Sequence, residues 1–224
     1  MNLVFFALMV VVVGASLYFN AKRSDKRRRK VAEIASRHDL FFALKEPYNM
    51  VNTFDFDLFD FGRAKAVRNV MYGRQGDREV RAFDYRYTTG SGKNSRTYHW
   101  TCGLVTTGGA TSWPHLTLGP ETFFERIAQV VAGDDIDFES EEFNRDWEVR
   151  CEDRRFASAM IDPEMMLHLM DKAEGCRVEV GGTWVLVYYE QTPPEEQPQA
   201  IARSVALCER IPPVVWSLYP AASA

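Results

Sequence analysis

The pattern of hydrophobic and polar positions begins with an uninterrupted apolar run, residues 3–19, that contains no charged side chain. These 17 residues would rise about 26 Å as an α-helix, close to the thickness of a bilayer core. Tyr18 and Phe19 stand at the end of the run, where aromatic side chains favour the membrane interface. The pattern therefore predicts an uncleaved transmembrane anchor, a signal-anchor, over residues 1–20.

Two other interpretations of this run fit less well. A cleaved signal peptide carries positive charge before its apolar segment and a small-x-small cleavage site after it. In this chain the charges follow the run, and a buried core helix would not be expected to continue into them. The positive-inside rule keeps a basic flank cytoplasmic. We therefore expect a single-pass plasma-membrane protein with its N-terminus outside and its body in the cytoplasm.

The basic flank holds seven cations against a single acidic residue, Asp25. Such a segment sets membrane topology, and it can also bind anionic lipid headgroups, to which each basic residue contributes about 1 kcal/mol. Val31, Ile34 and Ala35 follow at helical spacing, which predicts a short helix as far as Leu40. The residues with these topology and lipid roles are Lys22, Arg23, Lys26, Arg27, Arg28, Arg29 and Lys30.

Residues 41–218 form the body, followed by a tail at 219–224, and a division into two small lobes near residue 133 stays open. In the stretch FDFDLFDF, residues 54–61, aromatic side chains alternate with Asp55 and Asp57, which predicts a short strand or an extended segment whose phenylalanines are buried. An exposed acidic-aromatic motif for a partner is the alternative interpretation.

Regular alternation begins at residue 66. The segments 66–74, 78–89 and 96–107 predict antiparallel strands joined by hairpins, with Asp84 and Arg86 on the wetter face of the second strand. Further elements follow from periodicity: helices over 121–131, 154–160, 162–173 and 195–211, an extended segment over 134–151, and a hairpin around Gly181 and Gly182. The fold class is α+β, with antiparallel hairpins and interspersed helices, preceded by one N-terminal transmembrane helix.

Charge and cysteine content narrow the functional classes. The formal net charge is -4, but without the basic flank the chain keeps 20 basic residues (27 less seven) and 30 acidic residues (31 less Asp25), a net -10. An acidic body is a poor nucleic-acid binder, because duplex affinity depends on phosphate neutralisation. The cysteines, Cys102, Cys151, Cys176 and Cys208, lack zinc-ligand spacing and indicate buried free thiols in a reducing compartment.

The stretch YTTGSGKNSRT, residues 87–97, raises the question of a phosphate-binding loop. That motif requires a glycine five residues before Gly92 and a hydroxyl residue after Lys93, and it joins a strand to a helix. Here Tyr87 and Asn94 occupy those positions, and a second strand follows. The stretch predicts a flexible hairpin loop, so we expect no nucleotide.

One carboxylate cluster is the best candidate for chemistry. Alternation would place Asp135, Asp137 and Glu139 on one strand face, where they could hold a divalent cation. The cluster lacks the calcium-loop pattern, and the ordinary explanation for it is the solvated face of an edge strand. The full cluster is Asp134, Asp135, Asp137, Glu139, Glu141 and Glu142. The histidines, His38, His99, His115 and His168, are widely separated, and no nucleophile elbow, dinucleotide fingerprint or zinc-helix motif is present.

The chain also resembles a known group. The anchor with its basic flank, followed by FDYRYTTGSGK, FESEEFNRDWEVRCEDRRFA and DPEMMLHL, is similar to uncharacterised single-pass membrane proteins common in actinobacteria. The resemblance covers most of the body and implies a bacterial plasma-membrane location. It implies no activity.

The leading interpretation is a membrane-tethered cytoplasmic binding or scaffold module, an accessory protein of a membrane complex, with no catalytic residue, metal or cofactor. Its partners would be the bilayer, anionic lipid and a membrane or cytoplasmic protein. The rival is a metal-assisted hydrolase that uses residues 134–142 with His99 or His115. The predicted partner surface is either the hairpin loop 88–96, with Ser91, Lys93 and Asn94, or the acidic strand 134–142, with Asp135, Asp137 and Glu139.

Overall fold

The computed structural model describes residues 3–108, 113–120, 135–172 and 175–220. Its first element is one helix, α1, Leu3–Arg37, which contains both the apolar run and the basic flank. Residues 21–37 lack proline and glycine and are rich in lysine, arginine and alanine, so the helix has no reason to end at Asn20. One helix thus runs through residue 20, the predicted end of the anchor, into the basic flank. Within the described ranges, no helix combines the length and the apolar character that crossing a membrane requires.

The C-terminal end of α1 packs on the body. Val31, Ile34 and Ala35 are buried as their spacing predicted, whereas His38 is exposed. The helix ends at Arg37 rather than Leu40, because Asp39 adopts a left-handed conformation (φ 54°) and the Leu40 N–H turns back to the Ala35 carbonyl at 2.9 Å. A strand then begins at Phe41.

Eight strands of the described residues form one antiparallel sheet with the order β1-β2-β3-β4-β8-β7-β5-β6. Strands from both sides of residue 133 belong to it, and the sheet with its helices confirms the α+β class. The strands are β1 Phe41–Lys45, β2 Arg63–Gln75, β3 Arg78–Thr89, β4 Arg96–Thr106, β5 Trp113–Pro120, β6 Trp147–Cys151, β7 Arg177–Gly182 and β8 Trp184–Glu190.

Helices alternate with these strands along the chain. After α1 they are α2 Met50–Thr53, α3 Asp57–Asp60, α4 Glu141–Asp146, α5 Arg154–Met160, α6 Pro163–Lys172, α7 Gln197–Glu209 and α8 Pro213–Leu218, with 3₁₀ turns at Gly92–Asn94 and Pro194–Glu196. The helix predicted over 121–131 lies outside the described residues.

Each face of the sheet carries its own apolar cluster. On the first face, Val80, Ala82 and Val105 pack beneath α1 and α7. On the second face, Phe83, Leu186 and Tyr188 pack beneath the segment of residues 50–61. A Cβ at Gly103 would stand 2.1 Å from the Ala200 carbonyl oxygen, so glycine is what lets α7 lie directly on β4.

Two predicted extended segments contain helices instead. In residues 54–61, α3 forms because the Glu179 carboxylate accepts the backbone N–H groups of Asp57 and Leu58 at 2.6 and 2.9 Å and caps this turn. In residues 134–151, Ser140 accepts the Phe143 N–H and starts α4 before β6 begins. The sequence patterns missed β1 and β5.

The other predicted elements have the predicted type. The hairpins at β2–β3, β3–β4 and β7–β8 form in the expected segments, and so do α5, α6 and α7. Gly90 and Gly92 supply the positive φ angles, 68° and 55°, of the β3–β4 loop. All four cysteines are free and buried, as predicted.

Candidate functional site

A buried ion pair fixes α1 to the first face of the sheet. Arg27 donates from Nε and Nη2 to the two carboxylate oxygens of Asp84 at 2.7 and 2.6 Å, and from Nη1 to the Thr192 carbonyl at 2.7 Å. Asn69, which has a positive φ of 52° at an irregularity of β2, donates to the same carboxylate at 2.7 Å. Asp84 was predicted on the wetter face, but α1 covers it, and the side chain is buried.

A basic groove opens beside this ion pair, between residues 20–27 of α1 and the ends of the neighbouring strands. Its volume is about 860 Å³, and Asp84 and Glu190 are its acidic lining residues. The pKa of His99 is lowered, first by burial and then by the positive charge of Arg86. Four exposed arginines line the groove: Arg23, Arg68, Arg86 and Arg96.

The structure divides the predicted lipid-binding cations into two groups. Arg27 is committed to Asp84, while Arg28 and Arg29 pair with Asp25 and Lys30 pairs with Glu33 along the helix. The second group, Lys22, Arg23 and Lys26, is exposed near the groove end of α1. Arg68, Arg86 and Arg96 of the sheet line the groove together with Arg23, although the sequence analysis did not predict a lipid role for them.

The predicted partner surface consists of two separate places. Ser91, Lys93 and Asn94 are exposed in the β3–β4 loop. Asp135, Asp137 and Glu139 are also exposed, with Ile136 and Phe138 turned inward between them, as alternation predicted. They precede α4 at the β6 edge, where Asp135 Oδ1 accepts the Val149 N–H at 3.3 Å.

A second polar cluster lies on the other face of the sheet, where Asp57 at the start of α3 meets β5 and β7. His115 Nε2 lies 3.2 Å from Glu179 Oε2 and 3.8 Å from Asp57 Oδ2. Thr117 donates its hydroxyl to Asp57 Oδ2 at 2.5 Å. The Glu179 side chain is fully buried, that of Asp57 is 9% exposed, and that of His115 is 30% exposed. We call Asp57, His115 and Glu179 the buried triad.

The pKa values of Asp57 and His115 are both raised. Burial, and then the neighbouring Glu179 carboxylate, raises the pKa of Asp57 from 3.8 to about 6, although the Thr117 hydrogen bond opposes the increase. For His115, burial lowers the pKa, but the hydrogen bond and charge of Glu179 and the charge of Asp57 outweigh it, so the pKa is raised. The triad therefore combines two close carboxylates with one titratable base.

The triad was not predicted as a unit. The rival hydrolase was expected to use residues 134–142 with His99 or His115, but His115 lies against Asp57 and Glu179, and His99 lines the basic groove. Asp134 falls outside the described residues. The hydrolase constellation expected from the described acidic residues is therefore wrong. The available indication of a site was Glu179 itself, a single carboxylate within an apolar strand.

Comparison with known proteins identifies the fold. No family model matches the sequence. No curated protein matches it significantly. Among solved structures, the chain is similar to the crystal structure of the mycobacterial trehalose monomycolate transport factor A, TtfA, with a TM-score of 0.60 and 11% sequence identity. The match covers 88% of this chain and 98% of that chain. At this identity the likeness shows a shared fold.

Proposed function

We propose that this protein is a membrane-attached accessory module, which binds anionic lipid headgroups through the basic groove and a partner protein through its exposed loops. The observation that carries the proposal is the composition of α1. Its first half exposes 11 large apolar side chains of residues 5–19, each between 50% and 66% exposed. Arg27 fixes the second half of α1 to the body. A membrane that covers the exposed apolar first half would therefore also hold the basic groove close to its surface.

The similar solved structure supports the accessory part of this proposal. That protein is described as a transport factor for trehalose monomycolate. We extend to this chain the general role of an accessory protein in a membrane transport system. The predicted single crossing, with the N-terminus outside and the body cytoplasmic, and the relationship to the actinobacterial membrane proteins are parts of the same proposal.

Membrane attachment is tested by placing charges in the apolar half of α1. We expect the wild-type chain to sediment with membranes and to resist alkaline extraction, whereas Val10→Asp with Val12→Asp should release it, because each charge at a bilayer centre costs about 3 kcal/mol. The control is Leu167→Asp, since Leu167 is also an exposed apolar residue, at 66% against 53% for Val10 and 59% for Val12, but lies in α6. Release of the wild type, or equal release by both variants, would contradict attachment through α1.

Headgroup binding is tested in the Val10→Asp, Val12→Asp background, so that α1 does not itself insert, by flotation with vesicles of phosphatidylglycerol in phosphatidylcholine. Replacement of Arg68, Arg86 and Arg96 by serine should weaken binding about 100-fold or more, since each cation near the surface contributes about 1 kcal/mol. The control is Arg145→Ser in α4, away from the groove. Equal binding of the triple variant and the control would exclude the groove.

Orientation and partner are tested at the β3–β4 loop. Because the native cysteines are buried, Lys93→Cys provides a single accessible thiol. A membrane-impermeant maleimide should label it only after the cells are permeabilised, and labelling of intact cells would contradict a cytoplasmic body.

A photoreactive residue at position 94 or 137 should crosslink to one recurrent membrane protein. Lack of any recurrent product from either position would count against the partner surface.

A further inference from the structure

We propose that the buried triad of Asp57, His115 and Glu179 binds one divalent transition-metal ion, for which Zn²⁺ is the probe. This site lies on the opposite face of the sheet from the Arg27–Asp84 ion pair that borders the basic groove. The inference is independent of the membrane role proposed above, and either can fail without the other.

The spacing of the ligand atoms fits such an ion. Zinc binds imidazole nitrogen and carboxylate oxygen at about 2.0–2.2 Å, so neighbouring ligand atoms in a tetrahedral site lie about 3.4 Å apart. His115 Nε2 lies 3.2 Å from Glu179 Oε2 and 3.8 Å from Asp57 Oδ2. One ligand atom from each of the three side chains lies within 4.8 Å of the other two. Closing the site therefore requires only small side-chain movements.

The surrounding hydrogen bonds orient the carboxylates without exhausting them. The backbone N–H groups of Asp57 and Leu58 hold the two oxygens of Glu179, and the Thr117 hydroxyl holds Asp57 Oδ2. Glu179 also forms a side-chain hydrogen bond with Tyr188. An ionised carboxylate oxygen has two lone pairs, so an oxygen that accepts a hydrogen bond can still bind a metal ion. This outer shell is what ligating carboxylates in metal sites possess.

Charge and access favour a transition-metal dication. Two deeply buried carboxylates carry two negative charges, which a dication neutralises when His115 is neutral. Calcium and magnesium prefer six or more oxygen ligands, whereas a set that contains imidazole suits zinc and its neighbours. The His115 side chain is 30% exposed while that of Glu179 is fully buried, so we expect the ion, and a water as fourth ligand, to enter from the side of His115.

The test uses the full chain in detergent, without a histidine tag and after treatment with a chelator. Zn²⁺ is titrated against a chromophoric competitor, and Co²⁺ replaces it for absorption spectroscopy. We expect one ion per chain and the visible absorption of tetrahedral Co²⁺. His115→Gln should weaken binding by at least about 100-fold, because loss of an outer-shell partner alone costs about 10–100-fold.

Two matched controls and a second variant make the result decisive. His99→Gln removes an exposed histidine of the groove, and Asp137→Asn removes an exposed carboxylate of the earlier candidate cluster. Both should bind Zn²⁺ as the wild type does. Glu179→Gln should also lose binding; if it does not fold, His115→Gln decides, because it leaves the cap of α3 intact. Lack of saturable one-to-one binding, its retention in His115→Gln, or its loss in either control would overturn the proposal.

Discussion

The two faces of the sheet bury carboxylates to nearly the same extent but compensate them differently. Asp84 is 6% exposed on the face beneath α1, and Asp57 is 7% exposed on the opposite face. Asp84 has a bidentate arginine, a permanent cation that cannot lose its proton in proteins. Asp57 has a second carboxylate and a histidine, whose charge depends on conditions. Two carboxylates that are buried to the same extent thus differ in role. Asp84 holds α1 on one face through a permanent charge pair, whereas the charge at Asp57 on the other face depends on pH.

The largest expected effect on stability comes from removing Arg27, the permanent cation that pairs with Asp84. Arg27→Met keeps most of the apolar side chain but leaves the Asp84 carboxylate buried with Asn69, which should lower the free energy of unfolding by about 3–5 kcal/mol. Urea unfolding of the full chain in detergent measures this loss. Adding Asp84→Asn to Arg27→Met should recover part of it, because the buried charge is then removed.

The control for this change is Arg28→Met on the neighbouring position of α1. Arg28 pairs with Asp25, and both side chains are well exposed, at 41% and 37%. Exposed pairs contribute at most about 1 kcal/mol. Equal losses from the two variants would show that the Asp84 pair is not the attachment of α1 to the sheet.

The next largest expected effect is a fall in the stability of the metal-free protein as pH rises, caused by Asp57 and His115. The folded-state pKa of Asp57, about 6, lies above its ordinary 3.8, so the folded protein binds more protons than the unfolded chain between these values. Stability from this group must therefore fall as pH rises through that window, by up to about 3 kcal/mol. The raised pKa of His115 extends the fall in the same direction above pH 6.5.

The measurement is urea unfolding with a chelator between pH 4 and 7.5, compared between the wild type and Asp57→Asn. The difference between the two proteins reports the titration of Asp57 together with the effect of its charge on His115, and it cancels the groups that Asp57 does not influence. Asp137→Asn, an exposed carboxylate, should leave the profile of the wild type unchanged. A constant difference across the range would mean that Asp57 titrates normally in the folded protein.

A smaller effect is expected at the other carboxylate of the triad. Glu179→Gln leaves one carbonyl oxygen for two backbone N–H groups, so a donor at the start of α3 loses its acceptor, at a cost of about 1–3 kcal/mol. Part of that cost is offset because the charge that raises the pKa of Asp57 is removed. The pH profile should therefore become flatter. Glu190→Gln at the exposed end of β8 should change neither stability nor profile.

The predicted elements show what local pattern can reveal. Alternation in β2, β3 and β4 and helical spacing in α5, α6 and α7 were sufficient, because each of these elements buries one regular face. Residues 54–58 also alternate before the register shifts at Leu58 and Phe59, yet Glu179, 121 residues after Leu58, caps a helix at Asp57–Asp60. A contact at that separation leaves no trace in a local period.

The two buried carboxylate sites were hidden for the same reason. Arg27 and Asp84 are 57 residues apart, and Asp84 alternates with Phe83 and Tyr85 as a solvent-facing residue would. Nothing in β3 indicates that a helix covers that face. By contrast, Glu179 between Val178 and Val180 is an isolated charge in an apolar strand, so a partner could be expected for it, although not which one.

The smallest expected effect on stability tests whether the Thr117 hydroxyl stabilises the charged form of Asp57 more than the neutral form. Thr117→Val keeps the shape of a side chain that is 1% exposed but removes the hydroxyl donor to Asp57 Oδ2. That hydrogen bond lowers the pKa of Asp57, so its loss should move the midpoint of the pH profile upward. The variant should lose about 1–2 kcal/mol at pH 7.5, where Asp57 is ionised, and less at pH 4.5, where it is protonated. Equal losses at the two pH values would mean that the Thr117 hydroxyl contributes only through packing. In that case the charge state of Asp57 would not be what distinguishes this face of the sheet from the face beneath α1.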